Sequence, residues 1–165
     1  MTRPAQLNWF HHILRRITAT TTGAKILARM MHQLDRPILR LSRGRVSAAS
    51  LLTGFPVIAL TTIGAKSGLS RTVPLLAMPD GERLILIASN WGQTKHPAWY
   101  FNLRAHPAAT VTRNGQTQRY SAHEAAGAEY DRAWQFAVQT NPGYALYKQR
   151  VQNRQIPIIV LDPQG

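Results

Sequence analysis

Asn114-Gly115 lies between two runs of strand-forming residues, 109–113 and 117–123, and this is the strongest short-range hairpin signal a sequence can carry. A two-residue connection of that kind commits its flanks to antiparallel pairing. The same reading extends towards the N-terminus. Residues 57–63 form a short, apolar, β-branched run, Gly64-Ala65-Lys66-Ser67-Gly68 is a turn-rich break, and residues 72–78 read as a second strand. Pro79-Asp80-Gly81 reads as a tight turn and 83–89 as a third strand, so the first three strands are expected to run as a meander. Leu84, Ile85, Leu86 and Ile87 are consecutively apolar, which implies burial on both faces of the sheet. His96-Pro97 opens a short helix through Arg104, a longer helix spans about 126–139 and breaks at Asn141-Pro142-Gly143, and a last apolar strand covers 156–161. The expected class is α+β, most simply a small antiparallel barrel with flanking helices.

The N-terminal third has a different character. Leu27, Met30, Met31, Leu34, Ile38 and Leu41 recur at helical spacing, with Pro37 as a kink, and a shorter amphipathic segment spans 9–17. The division expected is a basic helical segment over 1–50 and a barrel domain over 51–165. Charge follows the same division: residues 1–45 hold nine basic residues against a single acid, Asp35, within a chain whose net charge is +13. Such an excess attracts phosphates, carboxylate-rich ligands or anionic lipid headgroups. No run approaches the length of a membrane span and no signal peptide is visible, so the expected location is cytoplasmic, with peripheral attachment to the inner face of the membrane left open.

Residue types exclude much of the usual chemistry. With no cysteine there are no disulfides, thiolate-held clusters or thiol nucleophiles. Seven acidic residues offer no paired carboxylates at motif spacing, no Gly-x-Ser-x-Gly elbow occurs, and His11 and His12 are neighbours that point to different helix faces. No metal site is expected, and His96 reads as a loop or capping residue. Lys66 and Arg71 bring two cations to a Gly-bracketed turn whose amides could cradle a phosphate, although the spacing and flanks are not those of a P-loop. The stretch 89–100 is polar at its start and aromatic at its end, suited to holding a planar ligand, though aromatics in a short helix also serve as core. Tyr144 and Tyr147 are three apart, so on a helix both phenols share one face. A chain so poor in acid–base groups would most easily act by orienting a cofactor that carries the reaction.

Thr61-Thr62-Ile63-Gly64-Ala65-Lys66-Ser67-Gly68, then Arg71-Thr72-Val73-Pro74-Leu75, Ala88-Ser89-Asn90-Trp91-Gly92, His96-Pro97-Ala98-Trp99-Tyr100, Asn102-Leu103-Arg104 and Pro107 together resemble the deazaflavin (F420)-dependent nitroreductase family. Asn141-Pro142-Gly143-Tyr144, Tyr147 and Ile156-Pro157 complete the order, so the resemblance covers about residues 55–162. It implies a split β-barrel of the FMN-binding type and hydride donation from reduced coenzyme F420 to an electron-poor, hydrophobic acceptor such as a quinone, an enone or a nitroaromatic. By position, Lys66, Ser67 and Arg71, with Gly68 and Thr72 beside them, would hold the coenzyme's phosphate. Pro74, Ser89, Asn90, Trp91 and Gly92 would line the ring site, with Trp99 and Tyr100 supporting it. Leu76, Asn141, Tyr144 and Tyr147 match positions on the acceptor side, and Ser89 or a tyrosine phenol would orient the acceptor or help supply its proton.

Three departures qualify that transfer. Ala65 stands where the family commonly has Arg, Leu76 and Asn141 where some nitro-reducing members have tyrosines, and Trp91 where glycine is frequent. Two other readings are kept: an FMN-binding split-barrel oxidoreductase, and a non-catalytic anion- or lipid-binding module suggested by residues 1–45. Nucleic acid is not an expected partner, because the strands lack the basic, aromatic-interleaved pattern of such platforms. A homodimer is an open expectation.

Overall fold

A computed structural model describes residues 57–140, 143–151 and 154–165, without the side chains of Trp91 and Arg150. The predicted N-terminal helices, and with them the boundary near residue 50 and the surface proposed for membrane contact, lie outside the described residues. Seven strands form one antiparallel sheet: β1 (Val57–Ile63), β2 (Ser70–Leu76), β3 (Met78–Asp80), β4 (Arg83–Ile87), β5 (Ala108–Arg113), β6 (Gln116–Glu124) and β7 (Ile158–Pro163). Between them run α1 (Ala98–Ala105), α2 (Gly127–Thr140) and α3 (Gly143–Arg150), with a 3-10 turn over Asn90–Gly92. The sheet curls into the half-barrel of a split β-barrel, in agreement with the α+β expectation.

Asn114 and Gly115 take φ of 53° and 80°, the positive values of a type I′ turn, and Arg113 pairs with Gln116 directly across it. The expected meander is not what forms. The strand order is β2-β1-β5-β6-β7-β4-β3, so β2 and β3 stand at opposite edges although only Ala77 separates them. The predicted strand over 72–78 is therefore two strands, and the chain turns a corner at the buried Ala77 that brings the curled edges together. The tight turn also shifts: Pro79 and Asp80 pair with Leu84 and Arg83, leaving Gly81, at φ 64°, and Glu82 as the turn. The strand expected over 83–89 ends at Ile87, and the final strand runs 158–163 instead of 156–161.

Burial on both faces of β4 is confirmed and explained by β7. Leu84 faces Leu161 and Leu86 faces Ile159 in one apolar cluster, whereas Ile85 faces Val160 and Ile87 faces Ile158 in another. The first cluster takes in β1 (Ile58, Leu60) and α1 (Trp99, Tyr100, Leu103); the second takes in α2 (Ala133, Ala137) and α3 (Tyr144). Each such aliphatic side chain contributes about 1.5–3 kcal/mol on burial, against about 0–1 kcal/mol for an exposed ion pair. Alternate strand residues thus dominate stability, and three of the acids, Asp80, Glu129 and Asp162, collect with Arg83 and His123 into a surface network of lesser weight. In that network His123 lies 2.9 Å from Asp162 and 3.0 Å from Glu129, which also meets Arg83 at 3.4 Å.

Candidate functional site

The β1–β2 turn is shaped by its own backbone. Gly64 N–H donates to the Leu69 carbonyl at 2.9 Å, Gly68 N–H to the Gly64 carbonyl at 2.8 Å, and Leu69 N–H to Ser67 Oγ at 3.3 Å. Space favours glycine at 64: a Cβ there would stand 2.5 Å from Ser67 Oγ and 3.2 Å from the Leu69 carbonyl oxygen, so Ser67 would have to leave its bond to the Leu69 amide. Gly68, at φ 65°, is required by conformation. A fourth amide, that of Ala65, donates to Asn102 Oδ1 at 3.0 Å. The turn therefore offers fewer amides than its glycines suggested: those of Lys66 and Ser67 have no partner among the described residues. Lys66, Ser67, Gly68, Arg71 and Thr72 are exposed, and neither cation enters an ion pair among the described residues.

Asn102 ties this turn to α1. It is buried at 9% exposure, and its Nδ2 donates to Thr62 Oγ1 at 3.0 Å while its Oδ1 takes the Ala65 amide. In the sequence Asn102 stands within a motif, with nothing there to show its task. Helix α1 starts at Pro97, whose fixed φ suits a helix entrance, and stops at His106, ahead of Pro107. Its buried Trp99, Tyr100 and Leu103 anchor it in the first cluster, so the two aromatics act as core that holds the helix in place. The Tyr100 hydroxyl donates to Glu124 Oε2 at 3.0 Å, and burial, then that bond, push its phenol pKa up.

The loop at 89–96 leads directly into α1. Ser89 is buried, and Asn90 sits at φ 47°, an uncommon region for a residue with a side chain, closed by its Nδ2 donating to the Lys95 carbonyl at 2.8 Å. His96 precedes the helix as a loop residue, in agreement with expectation, and its ring lies 4.9 Å from that of Tyr100. Pro97 to Asn102 spans roughly 8 Å of helix axis, so one short helix sets the distance between the cationic turn and this loop.

Helix α3, which carries Tyr144 and Tyr147, packs against the 3-10 turn over Asn90–Gly92. The Tyr144 and Tyr147 rings meet edge to face at 6.1 Å and 82°, as their spacing predicts. They differ in depth: Tyr144 is 7% exposed in the second cluster, whereas Tyr147 is half-buried at its margin. Burial, with Tyr147 adding to it, drives the Tyr144 phenol pKa far above its ordinary value, so it stays protonated at any physiological pH. Pro74 and Leu76 are half-buried on the edge strand β2, opposite Ala59 and Val57. Asn141 and the Trp91 side chain lie outside the described residues.

The structure thus joins the turn, the loop and the tyrosine helix through α1 and α3. No group of three or more metal-ligating side chains occurs among the described residues. No helix among them is long and apolar enough to cross a membrane.

Comparison with known proteins bears on what such a site serves. A family model described as F420H(2)-dependent quinone reductase matches residues 33–163. An F420H(2)-dependent quinone reductase of Mycobacterium tuberculosis (strain ATCC 25618 / H37Rv) is 34% identical over 112 residues, covering 64% of this chain and 72% of that protein. Among solved structures, an F420-H2 dependent reductase superposes with a TM-score of 0.60 at 36% identity, covering 65% of this chain and 94% of that one. A chain described as a domain-swapped dimer superposes with a TM-score of 0.62 at 32% identity, covering 77% and 94%.

Proposed function

The chain belongs to the F420H(2)-dependent quinone reductase family, an oxidoreductase family, and on that premise we propose that it reduces a hydrophobic quinone with a hydride from reduced coenzyme F420. The observation that carries the reading is the conjunction of two cations that make no ion pair among the described residues, Lys66 and Arg71, with a helix-anchored polar loop at 89–96 held one short helix away. Phosphate needs the first and a planar ring the second. When bound, the reduced deazaflavin supplies a hydride from C5.

The protein's residues do the rest. Lys66 and Arg71 attract the phosphate and acidic tail, and the amides of Lys66 and Ser67, which have no partner among the described residues, bond phosphate oxygens. Gly68 and Thr72 keep the rim of that turn open. Pro74 and the backbone of Ser89, Asn90, Trp91 and Gly92 border the ring, with Trp99 and Tyr100 holding the helix beneath. Reduction of a quinone to a hydroquinone takes one hydride and one proton. Ser89 Oγ and the phenols of Tyr144 and Tyr147 orient the acceptor carbonyl, and a phenol kept protonated by burial donates a hydrogen bond to oxygen as negative charge develops there. A quinone is favoured over a nitroaromatic because Leu76 and Asn141 replace tyrosines found in some nitro-reducing members of the family this sequence resembles. The FMN reading gains no support from the family model, the Mycobacterium tuberculosis relative or the solved reductase, whose names specify F420. A homodimer is supported by the domain-swapped relative, and light scattering on the purified chain tests it.

The direct experiment titrates the protein with coenzyme F420 and follows deazaflavin fluorescence, then follows oxidation of the reduced coenzyme by a soluble quinone. Saturable quenching and quinone-dependent oxidation are expected. A purified protein that carries a flavin spectrum and leaves deazaflavin fluorescence unchanged would overturn the proposal.

A further inference from the structure

Arg154 stands in the segment leading into β7, and its guanidinium grips the loop at 89–96 at three points. Nη2 donates to the Ser89 carbonyl at 2.9 Å and to the Gln93 carbonyl at 2.8 Å, Nε donates to that same Gln93 carbonyl at 3.2 Å, and Nη1 donates to His96 Nδ1 at 3.0 Å. Four of its five N–H groups are thereby engaged, and no ion pair among the described residues includes it. Its planar fork is aimed at backbone carbonyls and a ring nitrogen.

The loop is one that requires holding. Asn90 adopts φ 47°, a left-handed conformation that asparagine tolerates and that a bond within the loop closes, so the shape is set locally while its placement on the sheet is not. The loop's own bonds, Gly92 N–H to the Ser89 carbonyl and Gln93 N–H to the Asn90 carbonyl, both at 3.0 Å, and Asn90 Nδ2 to the Lys95 carbonyl at 2.8 Å, all lie within 89–96. They do not connect it to the sheet. Arg154 supplies that connection. His96 Nδ1 can accept from Arg154 only when it carries no proton, and the charged groups that reach this imidazole are Arg154, Glu124 and Arg104. Burial, then the Arg154 charge, holds His96 below the usual histidine range, which keeps the acceptor available near neutral pH.

We propose that Arg154 is a positioning residue for the reductase site, its guanidinium fixing the Ser89 and Gln93 carbonyls and the His96 ring so that the loop meets the coenzyme ring in one shape. The identity of that ring rests on the proposed function; the hold on the loop does not. A lysine would bring the charge but reach one acceptor at a time, so the fork, and not the charge alone, is the requirement.

The test compares R154Q and R154K with the wild type by amide hydrogen exchange, histidine NMR titration and coenzyme binding. In both variants the Gly92 and Gln93 amides are expected to exchange at least tenfold faster while amides of β4 and β7 keep their protection. In R154Q the His96 imidazole titrates at higher pH than in the wild type. Coenzyme Kd rises about tenfold in both, with a smaller change in kcat at saturating coenzyme. Wild-type protection of Gly92 and Gln93 in both variants would overturn the proposal, as would loss of protection spread evenly over the whole sheet or an unmoved His96 midpoint. Failure of the wild-type protein to bind the coenzyme would instead overturn the proposed function, and the exchange and titration results would still decide the role of Arg154.

Discussion

Asn102 Oδ1 accepts the backbone N–H of Ala65 at 3.0 Å, across 37 residues of sequence. One buried amide thereby locks the exposed cationic turn to the helix that follows the loop at 89–96. With its other end on Thr62 Oγ1, it makes the spacing of two distant loops a property of a single side chain.

Replacing Asn102 with alanine leaves the Ala65 amide and the Thr62 hydroxyl unpaired and opens a small void. Stability should fall by about 1–3 kcal/mol, read from urea denaturation, and coenzyme affinity should fall with it. A fully stable N102A variant would show that the turn is held by its own backbone bonds.

Lys66 and Arg71 are exposed and make no ion pair among the described residues, so their removal should separate binding from stability. K66A and R71A are each expected to weaken coenzyme binding by about 1–3 kcal/mol with melting temperature unchanged. Isothermal titration calorimetry measures the first, and unchanged affinity in both variants would place the phosphate elsewhere.

Tyr144 buries a phenol that has no hydrogen-bond partner among the described residues. Y144F removes a desolvated hydroxyl while keeping the packing, so its melting temperature should equal or exceed that of the wild type. Turnover should nevertheless drop, with coenzyme affinity retained. Equal kcat in Y144F and wild type would remove Tyr144 from the acceptor side.

His96 gives the fold a pH dependence whose sign follows from burial. Its pKa is lowered in the folded protein, so between that value and the ordinary 6.5 the unfolded chain binds more protons. The stability it contributes is complete above pH 6.5 and is lost as pH falls below it, where a protonated imidazole would face the Arg154 guanidinium. Melting temperature should decline from pH 7 to pH 5, and H96Q should flatten that decline. An identical slope in H96Q would assign it to other groups.

Local chemistry made much of this legible. Asn114-Gly115 located its hairpin turn, because the turn alone dictates the two φ values, while β5 starts one residue earlier than its composition suggested, covering 108–113, and β6 runs one residue further at each end, over 116–124. The consecutive apolar residues of β4 announced burial on both faces, and Tyr144 and Tyr147 share a side as their spacing requires. What stayed hidden depends on chain crossings. Nothing in 72–78 signals that Ala77 turns a corner, since both halves have strand composition and the break is set by how the sheet curls. Asn102 and Arg154 read as ordinary polar residues, and their partners lie 37 to 65 positions away. A lone arginine beside Gln155 and Ile156 offers no pattern; the scarcity of acids to pair with it was the one available hint.

Strands β4 and β7 lend alternate residues to two separate apolar clusters. The two clusters are coupled, because loosening either strand withdraws side chains from both at once. The described fold is therefore one cooperative unit, and heat should take the tyrosine helix and the cationic turn apart in a single transition.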